Sequence, residues 1–467
     1  TQGSASAASR EARSVLSSGE FIENLGSEPL DETSPLPRRR KSWVSLRRDW
    51  PLMLLIGGIL SAWVLYAVLL PQIEIRHRIA TTRWRYSRND PAISYFTHFI
   101  QRTVEFWFTF WFFYLGASIG SFINVVASRT PRGKTIVSRG SHCPFCDNAL
   151  NMIDNSPVFG WIMLRGRCRA CRLPISPRYL TMEIIVGAMF MILGGLELIG
   201  NGINLPYRDW SYGAGIVSTV FYPKWDLIGA LVMHASLFAI GMMLIGSQMD
   251  RLRFPGLPLF IILLIYFTVV SLVRVAAPIR WAEPFGAPFE RPLGGENILT
   301  VAQRAITSGI GGLVGWFIAE LTGKLLLGIF SKNLGESTSE NEAILSDFRN
   351  WKWHWVILHA LAGSMFGWQA ILLVGLVSAV LVLLGDQFLT NKRITIKQST
   401  ANEPQEDAAE DAIEDPTEST LPEEIPKVIK PAEGLFSRPV LALAIWIITL
   451  FLHLCFWRWI AVAWHFT

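Results

Sequence analysis

The sequence predicts an all-α polytopic membrane protein with a small cytoplasmic loop that resembles a zinc ribbon. Of the 467 residues, 51% are hydrophobic and only 17% are charged. A soluble domain of this size carries about 25% charged residues. Apolar runs long enough to cross a bilayer recur along the chain and predict about eight or nine transmembrane helices, since each crossing takes roughly 20 residues. Paired cysteines lie between two of these runs.

The candidate spans follow one another along most of the chain. They lie near 51–70, 106–127, 181–199, 226–247, 257–275, 305–330, 354–370, 371–388 and 439–465. Trp-rich stretches such as FWFTFWFFY fit the aromatic belts of membrane interfaces. Residues before the first span lack the apolar core of a cleavable signal peptide, so we expect this span to be retained as an anchor.

Composition divides the chain into six segments. Two of them are polar and poor in core-forming residues, which is typical of disorder. We expect a disordered cytoplasmic N-terminal segment at 1–50, an extra anchor and basic connector at 51–105, an N-terminal domain at 106–200 with its cysteine loop at 128–179, a membrane domain at 226–388, an acidic disordered linker at 389–438 and a C-terminal transmembrane helix at 439–467.

The distribution of arginine and lysine predicts the orientation in the membrane. The loop 128–179 holds eight arginines and one lysine, and positive loops stay in the cytoplasm. Counting spans from this loop places Asp250 at the cytoplasmic face. Residues 71–105 hold six arginines although the same count places them outside. Either 51–70 does not span, or the arginine-rich segment lies on the membrane surface.

Four of the five cysteines are arranged as two pairs, Cys143-x2-Cys146 and Cys168-x2-Cys171, separated by 21 residues. This spacing is typical of a tetrahedral four-cysteine zinc site with a structural role. Neighbouring arginines favour the thiolate form. Disulfides are the weaker interpretation in a cytoplasmic loop. The arginines would also suit nucleic acid, but a basic loop is expected at this face, so we expect no nucleic-acid partner.

Residues 116–195 contain a series of motifs in close succession: GASIGSFINVVASRTPRG, SHCPFCDNAL, DNSPVFGW, LRGRCRACRLPIS and PRYLTMEIIVGAMF. In order and spacing they resemble the amino-terminal half of the prepilin peptidases, the type IV leader peptidase/N-methyltransferase family. The resemblance implies an inner-membrane aspartic endopeptidase. Its partners would be the lipid bilayer and prepilin-like precursors of type IV pili or pseudopilin precursors of type II secretion.

The same resemblance implies a second activity in the amino-terminal half, N-methylation of the new terminus with S-adenosylmethionine as the methyl donor. Residues that match the family motifs in this half are Asn124, Asp154, Asn155, Arg178 and Glu183. Glu183 lies near the start of a membrane segment. A carboxylate there carries a high free-energy cost, so it is usually paired or functional. We expect Arg178 to be its partner if the role is an ion pair.

The first catalytic aspartate implied by the family stands seven residues before a proline, often with a second acidic residue two places later. Counting back from Pro255 gives Gln248, and Asp250 takes the place of the second acidic residue. Asp250 is therefore a candidate catalyst only if the register shifts by two residues. Its alternative interpretation is a solvated residue at a helix end.

The second catalytic aspartate of the family closes a G-x-G-D motif eight residues before a glycine, with a G-W-Q element downstream. Gly363 and Gly367-Trp368-Gln369 match the downstream pattern, but the count gives Trp355. The nearest aspartate upstream is Asp347, without a G-x-G before it. Two adjacent carboxylates share a proton, so that one activates water while the other polarises the carbonyl.

Three functions therefore stay open at the level of sequence. The first is a prepilin peptidase that uses Asp250 and Asp347. The second is a degenerate family member with a scaffold or methyltransferase-only role. The third is a zinc-ribbon membrane adaptor. Convergence of the two aspartates would favour the first, and a meeting of Gln248 with Trp355 would favour the second.

Overall fold

The computed structural model describes most of the predicted membrane region. The described residues are 50–73, 76, 95–136, 140–143, 145–205, 222–272, 298–332, 339–401 and 438–460. Most of the predicted N-terminal segment, most of the basic connector and the part of the acidic linker at 402–437 lie outside the described residues.

This part of the chain forms ten α-helices and no β-strand, which confirms the all-α prediction. The helices are α1 Trp50–Val64, α2 Tyr95–Arg129, α3 Phe159–Leu164, α4 Pro177–Gly194, α5 Trp225–Met249, α6 Gly256–Leu272, α7 Ile298–Lys332, α8 Ser339–Phe366, α9 Trp368–Ala401 and α10 Arg438–Cys455. Turns of π-helix extend α1 and α4, at Leu65–Leu69 and Gly195–Ile199.

Seven helical segments among the described residues are long and apolar enough to cross a membrane, which confirms a multi-pass membrane protein. They are Met53–Ile73, Tyr95–Arg132, Pro177–Ile199, Trp225–Met249, Val301–Phe330, Trp368–Gln387 and Arg438–Cys455, and Gly256–Leu272 is a shorter apolar helix. The predicted span 354–370 falls largely in the second half of α8. At the predicted start of the linker, residue 389, the chain stays helical and α9 continues to Ala401.

Glycines let α2 and α4 pack backbone against backbone. A Cβ atom on Gly116 would lie 2.8 Å from the main-chain oxygen of Val186, and one on Gly120 would lie 3.0 Å from Cα of Glu183. Neither space admits a side chain. The glycines of the GASIGSF motif therefore place α2 directly against Glu183.

A second close approach joins α7 to α8. A Cβ atom on Gly311 would lie 2.1 Å from the main-chain oxygen of Gly363, and one on Gly315 would lie 2.2 Å from that of His359. The break between α8 and α9 comes at Gly367, whose φ of +87° is strained for any residue with a side chain. The glycines at 363 and 367 thus serve helix packing and a helix break.

The last helix, α10, is bound to the others at both ends and in its middle. Arg438 forms an ion pair with Asp386 of α9, with Nε and Oδ1 2.7 Å apart. Trp446 donates from Nε1 to Nε2 of His359, 2.9 Å away. Near the other end, the main-chain oxygen of Leu454 accepts a hydrogen bond from the loop after α4. Polar bonds of this kind specify helix partners in a bilayer.

We expect Gly311→Ala to destabilise the protein by about 1–3 kcal/mol, because the added methyl group meets the α8 backbone rather than a flexible side chain. Gly328→Ala on the same helix is the matched control, since nothing lies within 4 Å of its Cβ position. Thermal unfolding in detergent measures both. Equal unfolding temperatures for the two variants would contradict the packing described for α7 and α8.

Candidate functional site

The two cysteine pairs adopt the same local structure twice. Each pair is enclosed by a single antiparallel bridge, His142 with Ala149 and Arg167 with Pro174. In each pair, the main-chain N–H of the residue after the second cysteine donates to the carbonyl of the first. The N···O distance is 3.0 Å from Asp147 to Cys143 and 3.1 Å from Arg172 to Cys168.

The residue after each pair has a left-handed backbone, with φ of 56° at Asp147 and 64° at Arg172. Because such angles are uncommon outside glycine, their recurrence at equivalent positions indicates that both turns are shaped to aim two sulfurs at one point. The four Sγ atoms lie within 4.8 Å of one another.

The spacing of these sulfurs fits one tetrahedral metal ion. Sγ of Cys143 lies 3.8 Å from Sγ of Cys171, and Sγ of Cys146 lies 3.9 Å from Sγ of Cys168. A tetrahedron with metal–sulfur bonds of about 2.3 Å has edges of about 3.8 Å. A disulfide would need about 2.05 Å. With all four positions filled by sulfur, a metal held here would have a structural role.

Main-chain hydrogen bonds support the thiolate form at one cysteine of the second pair. The N–H groups of Cys171 and Ala170 lower the pKa of Cys168 to about 7. The N–H of Leu173 acts in the same direction on Cys171, but burial and the neighbouring thiols raise the pKa of Cys171 to about 11. A thiolate is the form that binds metal. The cluster therefore has both the geometry and the chemistry of a metal site.

Asp154 joins the two cysteine pairs to each other. Its buried carboxylate accepts two bonds from Arg169, from Nε to Oδ2 at 2.8 Å and from Nη2 to Oδ1 at 2.5 Å. Arg169 lies between Cys168 and Cys171 in sequence. The bidentate pair therefore joins the chain that follows the first cysteine pair to the second cysteine pair. Asn155, the neighbouring candidate, is exposed.

Glu183 stabilises a strained turn rather than pairing with Arg178. Its Oε2 accepts the main-chain N–H of Val158 at 2.7 Å. Val158 has φ of 62°, which is a conformational outlier for a β-branched residue. The expected Glu183–Arg178 ion pair is not formed. Asn124, another candidate, is buried, and neither polar atom of its amide has a hydrogen-bond partner among the described residues.

Arg178 binds Asp250 instead. Its Nη1 donates to Oδ1 of Asp250, and its Nη2 donates to the main-chain oxygen of Gly246 at 2.6 Å. Arg132 approaches the other oxygen, with Nη1 3.4 Å from Oδ2 of Asp250. Asp250 is therefore not simply a solvated residue at the end of α5, because two arginines engage its two oxygens.

Gln248, rather than Asp250, meets Asp347. The Gln248 side chain is fully buried, and its Nε2 donates to Oδ1 of Asp347 and to the main-chain oxygen of the same residue at 3.2 Å. Oε1 of Gln248 lies 3.0 Å from Nδ1 of His354. Nε2 of His354 accepts the main-chain N–H of Phe254 at 3.1 Å. Nδ1 must therefore carry the proton, so His354 is neutral.

Trp355, the residue that the family register places at the second aspartate, fills a packed position. Its side chain is fully buried, and Nε1 donates to Oγ1 of Thr322 at 3.1 Å. The ring packs on His359, with centroids 4.5 Å apart. Neither expected arrangement is found: Asp250 and Asp347 engage different partners, and Gln248 meets Asp347 rather than Trp355.

Sequence reasoning missed three partners in this region. Arg132, Arg169 and His354 each complete a polar contact with a residue that the motifs singled out. The type and position of these residues give no signal of which carboxylate or amide they will meet, since the partners come from other parts of the chain.

Comparison with known proteins agrees with the arrangement of motifs. The model of the bacterial peptidase A24 N-terminal domain matches residues 114–195. A prepilin leader peptidase/N-methyltransferase of Klebsiella pneumoniae is 36% identical over 162 residues, which cover 27% of this chain and 71% of that protein. The chain belongs to the prepilin peptidase family.

Two further family members match over shorter stretches. The prepilin leader peptidase/N-methyltransferase of Myxococcus xanthus is 43% identical over 83 residues, covering 18% of this chain and 25% of that protein. The type 4 prepilin-like proteins leader peptide-processing enzyme of Escherichia coli is 36% identical over 95 residues, covering 16% and 35%. The chain thus spans about a quarter and a third of these two relatives. No solved structure gives a significant match.

We expect the purified protein to hold about one zinc ion per chain, because four thiolates at tetrahedral spacing bind zinc tightly. Cys168→Ser should lower both the zinc content and the unfolding temperature. Cys455→Ser is the control, since Cys455 lies on α10, away from the cluster. Elemental analysis and thermal unfolding measure the two effects. A metal-free protein of unchanged stability would contradict the assignment.

Asp347 should make stability depend on pH. Burial raises its pKa to about 6, against an opposing effect of Arg251. Because the folded pKa exceeds the unfolded value, the stability from this carboxyl is fully present below about pH 4 and is lost as pH rises through about 6. Asp347→Asn should therefore gain stability relative to the wild type as pH rises. A stability difference that stays constant from pH 4 to pH 8 would contradict this effect.

Proposed function

We propose that the chain is a non-proteolytic member of the prepilin peptidase family that binds prepilin-like precursors in the membrane. The observation that carries this proposal is the contact between Gln248 and Asp347. In the family register, Gln248 stands at the first catalytic aspartate, and its neutral amide donates to the carboxylate that it meets. Asp250, the nearest alternative, is bound by Arg178 and Arg132.

An aspartic peptidase needs two carboxylates close enough to share a proton. Sharing leaves one group ionised to activate water and one protonated to polarise the substrate carbonyl. A glutamine amide donates and accepts hydrogen bonds, but it is neither an acid nor a base near neutral pH and so cannot take the role of a carboxyl group in proton transfer. Because Asp347 meets the amide of Gln248, it has no second carboxyl group with which to share a proton. This pair therefore cannot supply both the base that activates water and the acid that polarises the carbonyl.

The family's amino-terminal half supports the binding part of this proposal. The cysteine module, the Asp154–Arg169 pair and the Glu183–Val158 bond hold this half in a defined arrangement. We propose that zinc occupies the cysteine cluster and that the module faces the cytoplasm of a bacterial inner membrane. The Lys and Arg content of the loop 128–179 supports that orientation. The substrates would be type IV prepilins or type II secretion pseudopilins.

S-adenosylmethionine would supply the methyl group if methyl transfer is retained. Asn124 is the one described candidate whose amide is both buried and without a partner. Asp154, Arg178 and Glu183 are all engaged within the protein. A single amide does not make a cofactor site, so we propose a scaffold role for this half.

A second candidate function, retained proteolysis, is favoured by the raised pKa of Asp347. A carboxyl group that titrates near pH 6 can hold a proton close to neutrality, which suits an acid catalyst. For this function, substrate binding would have to draw Asp250 away from its two arginines and towards Asp347.

The test is cleavage and binding of a prepilin by the purified, zinc-loaded protein in detergent. The Klebsiella pneumoniae relative serves as the positive control for the substrate. We expect the wild type to retain the precursor in a pull-down and to leave its leader intact. The double variant Gln248→Asp/Trp355→Asp restores an aspartate at both positions of the family register. Cleavage by this variant would show that these two positions account for the absence of proteolysis in the wild type.

Cleavage by the wild type would overturn the proposal. If Asp250→Asn and Asp347→Asn each abolish that cleavage, the second candidate is correct. If the wild type neither cleaves nor retains the precursor, the chain is not a precursor-binding protein, and the adaptor alternative gains support.

A further inference from the structure

A buried polar cluster lies far from the cysteine module, where α4, α5 and α10 meet. Glu197, in the π-helical turn that extends α4, is fully buried, and His234 of α5 is 4% exposed. Nδ1 of His234 lies 2.6 Å from Oε1 of Glu197. Nδ2 of Asn204, in the loop after α4, donates to the same oxygen at 3.3 Å. π-Helical turns are frequent at functional sites.

Two oxygen atoms of this cluster have no hydrogen-bond partner among the described residues. They are Oε2 of Glu197 and Oδ1 of Asn204, and both are buried. The amide of Asn204 cannot be reversed to satisfy Oδ1, because Nδ2 already faces two acceptors, Glu197 and the main-chain oxygen of Leu454 at 3.4 Å. Buried acceptors without a donor need an explanation, such as a bound water or ion.

The charge of the cluster points to the nature of the missing group. If His234 is neutral, Glu197 leaves one negative charge inside a membrane-spanning region, which is expensive. Among the described residues, the other titratable groups near the cluster are on α10 and just after it, where the main-chain N–H of Arg458 donates to Asn204. His453 packs beside Trp457, which also packs against His234, and Cys455 lies within electrostatic range of Glu197. Neither His453 nor Cys455 carries a permanent positive charge. Arg458 does, but it contacts the cluster through its main-chain N–H, and Oε2 of Glu197 has no hydrogen-bond partner among the described residues.

We propose that Glu197, His234 and Asn204 form an intramembrane site for one positive charge, supplied by a proton or by a monovalent metal cation. As a proton, the charge resides on the Glu197–His234 pair. As a metal cation, it is bound by Oε2 of Glu197 and Oδ1 of Asn204. The site is independent of the proposed function, because no residue of the cysteine module or of the Gln248–Asp347 contact takes part.

Occupancy of this site fixes the C-terminal helix. Asn204 donates to the main-chain oxygen of Leu454, and its own main-chain oxygen accepts the N–H of Arg458 at 3.0 Å. A charge that holds Asn204 in place therefore also holds the end of α10. Without the positive charge, the carboxylate of Glu197 lies uncompensated beside the contacts of Asn204 with Leu454 and Arg458.

The experiment measures thermal unfolding of the full chain in detergent between pH 5.5 and pH 9, in sodium chloride or choline chloride of equal ionic strength. For a proton, we expect the midpoint of the wild type to fall by several degrees as pH rises, equally in both salts. For a metal cation, we expect sodium to raise the midpoint at high pH and choline not to do so. Glu197→Gln should remove the part of the pH or sodium dependence that comes from this site and keep the part that comes from Asp347.

Comparison with Glu197→Gln separates this effect from the titration of Asp347, which both proteins share. His359→Gln is the matched control, since His359 is also a buried histidine but bonds Trp355 and Trp446 instead of a carboxylate. It should shift the midpoint equally under all conditions. His234→Gln serves as the second variant if Glu197→Gln does not fold. The proposal is overturned if Glu197→Gln keeps the wild-type dependence, or if pH and sodium affect both proteins alike.

Discussion

Arg178 joins the two halves of the molecule. It stands at the start of α4, directly after the cysteine module, and its guanidinium binds both the carboxylate of Asp250 and the main-chain oxygen of Gly246 at the end of α5. Gly246 also lies against α2, where a Cβ atom would come within 3.0 Å of Cβ of Ala127. Charge-assisted, forked bonds of this kind fix direction as well as distance. This side chain therefore helps to orient the module relative to α5, together with the packing of α2 on α5.

This constraint explains why the end of α5 is not arranged as half of an aspartyl dyad. Asp250 is turned towards α4, and the adjacent inward position belongs to Gln248. The glutamine suits that position because its amide nitrogen donates to Asp347 and its amide oxygen accepts from Nδ1 of His354. A buried polar network whose groups have their hydrogen-bond partners rigidifies the core around it. The region therefore holds together without the two carboxylates that proteolysis requires.

The sequence was sufficient for the features that depend on local pattern. Apolar runs predicted the helices, and the cysteine spacing predicted the shared cluster. It was not sufficient for the pairing of charged side chains. Arg178 and Glu183 are five residues apart, which places them on different sides of a helix, so the expected pair was the wrong one. Their actual partners, Asp250 and Val158, come from other elements. Beyond the membrane span, α9 continues to Ala401, and NKRITIKQST contains no glycine or proline to stop a helix.

The most direct test of this account is a double-mutant cycle between Arg178 and Asp250. The free energies of unfolding of Arg178→Ala, Asp250→Ala and the double variant are compared with that of the wild type in detergent. If the pair joins the two halves, the coupling energy should be favourable by about 1 kcal/mol or more. Additive effects of the two substitutions would contradict it and would leave Asp250 free to act elsewhere.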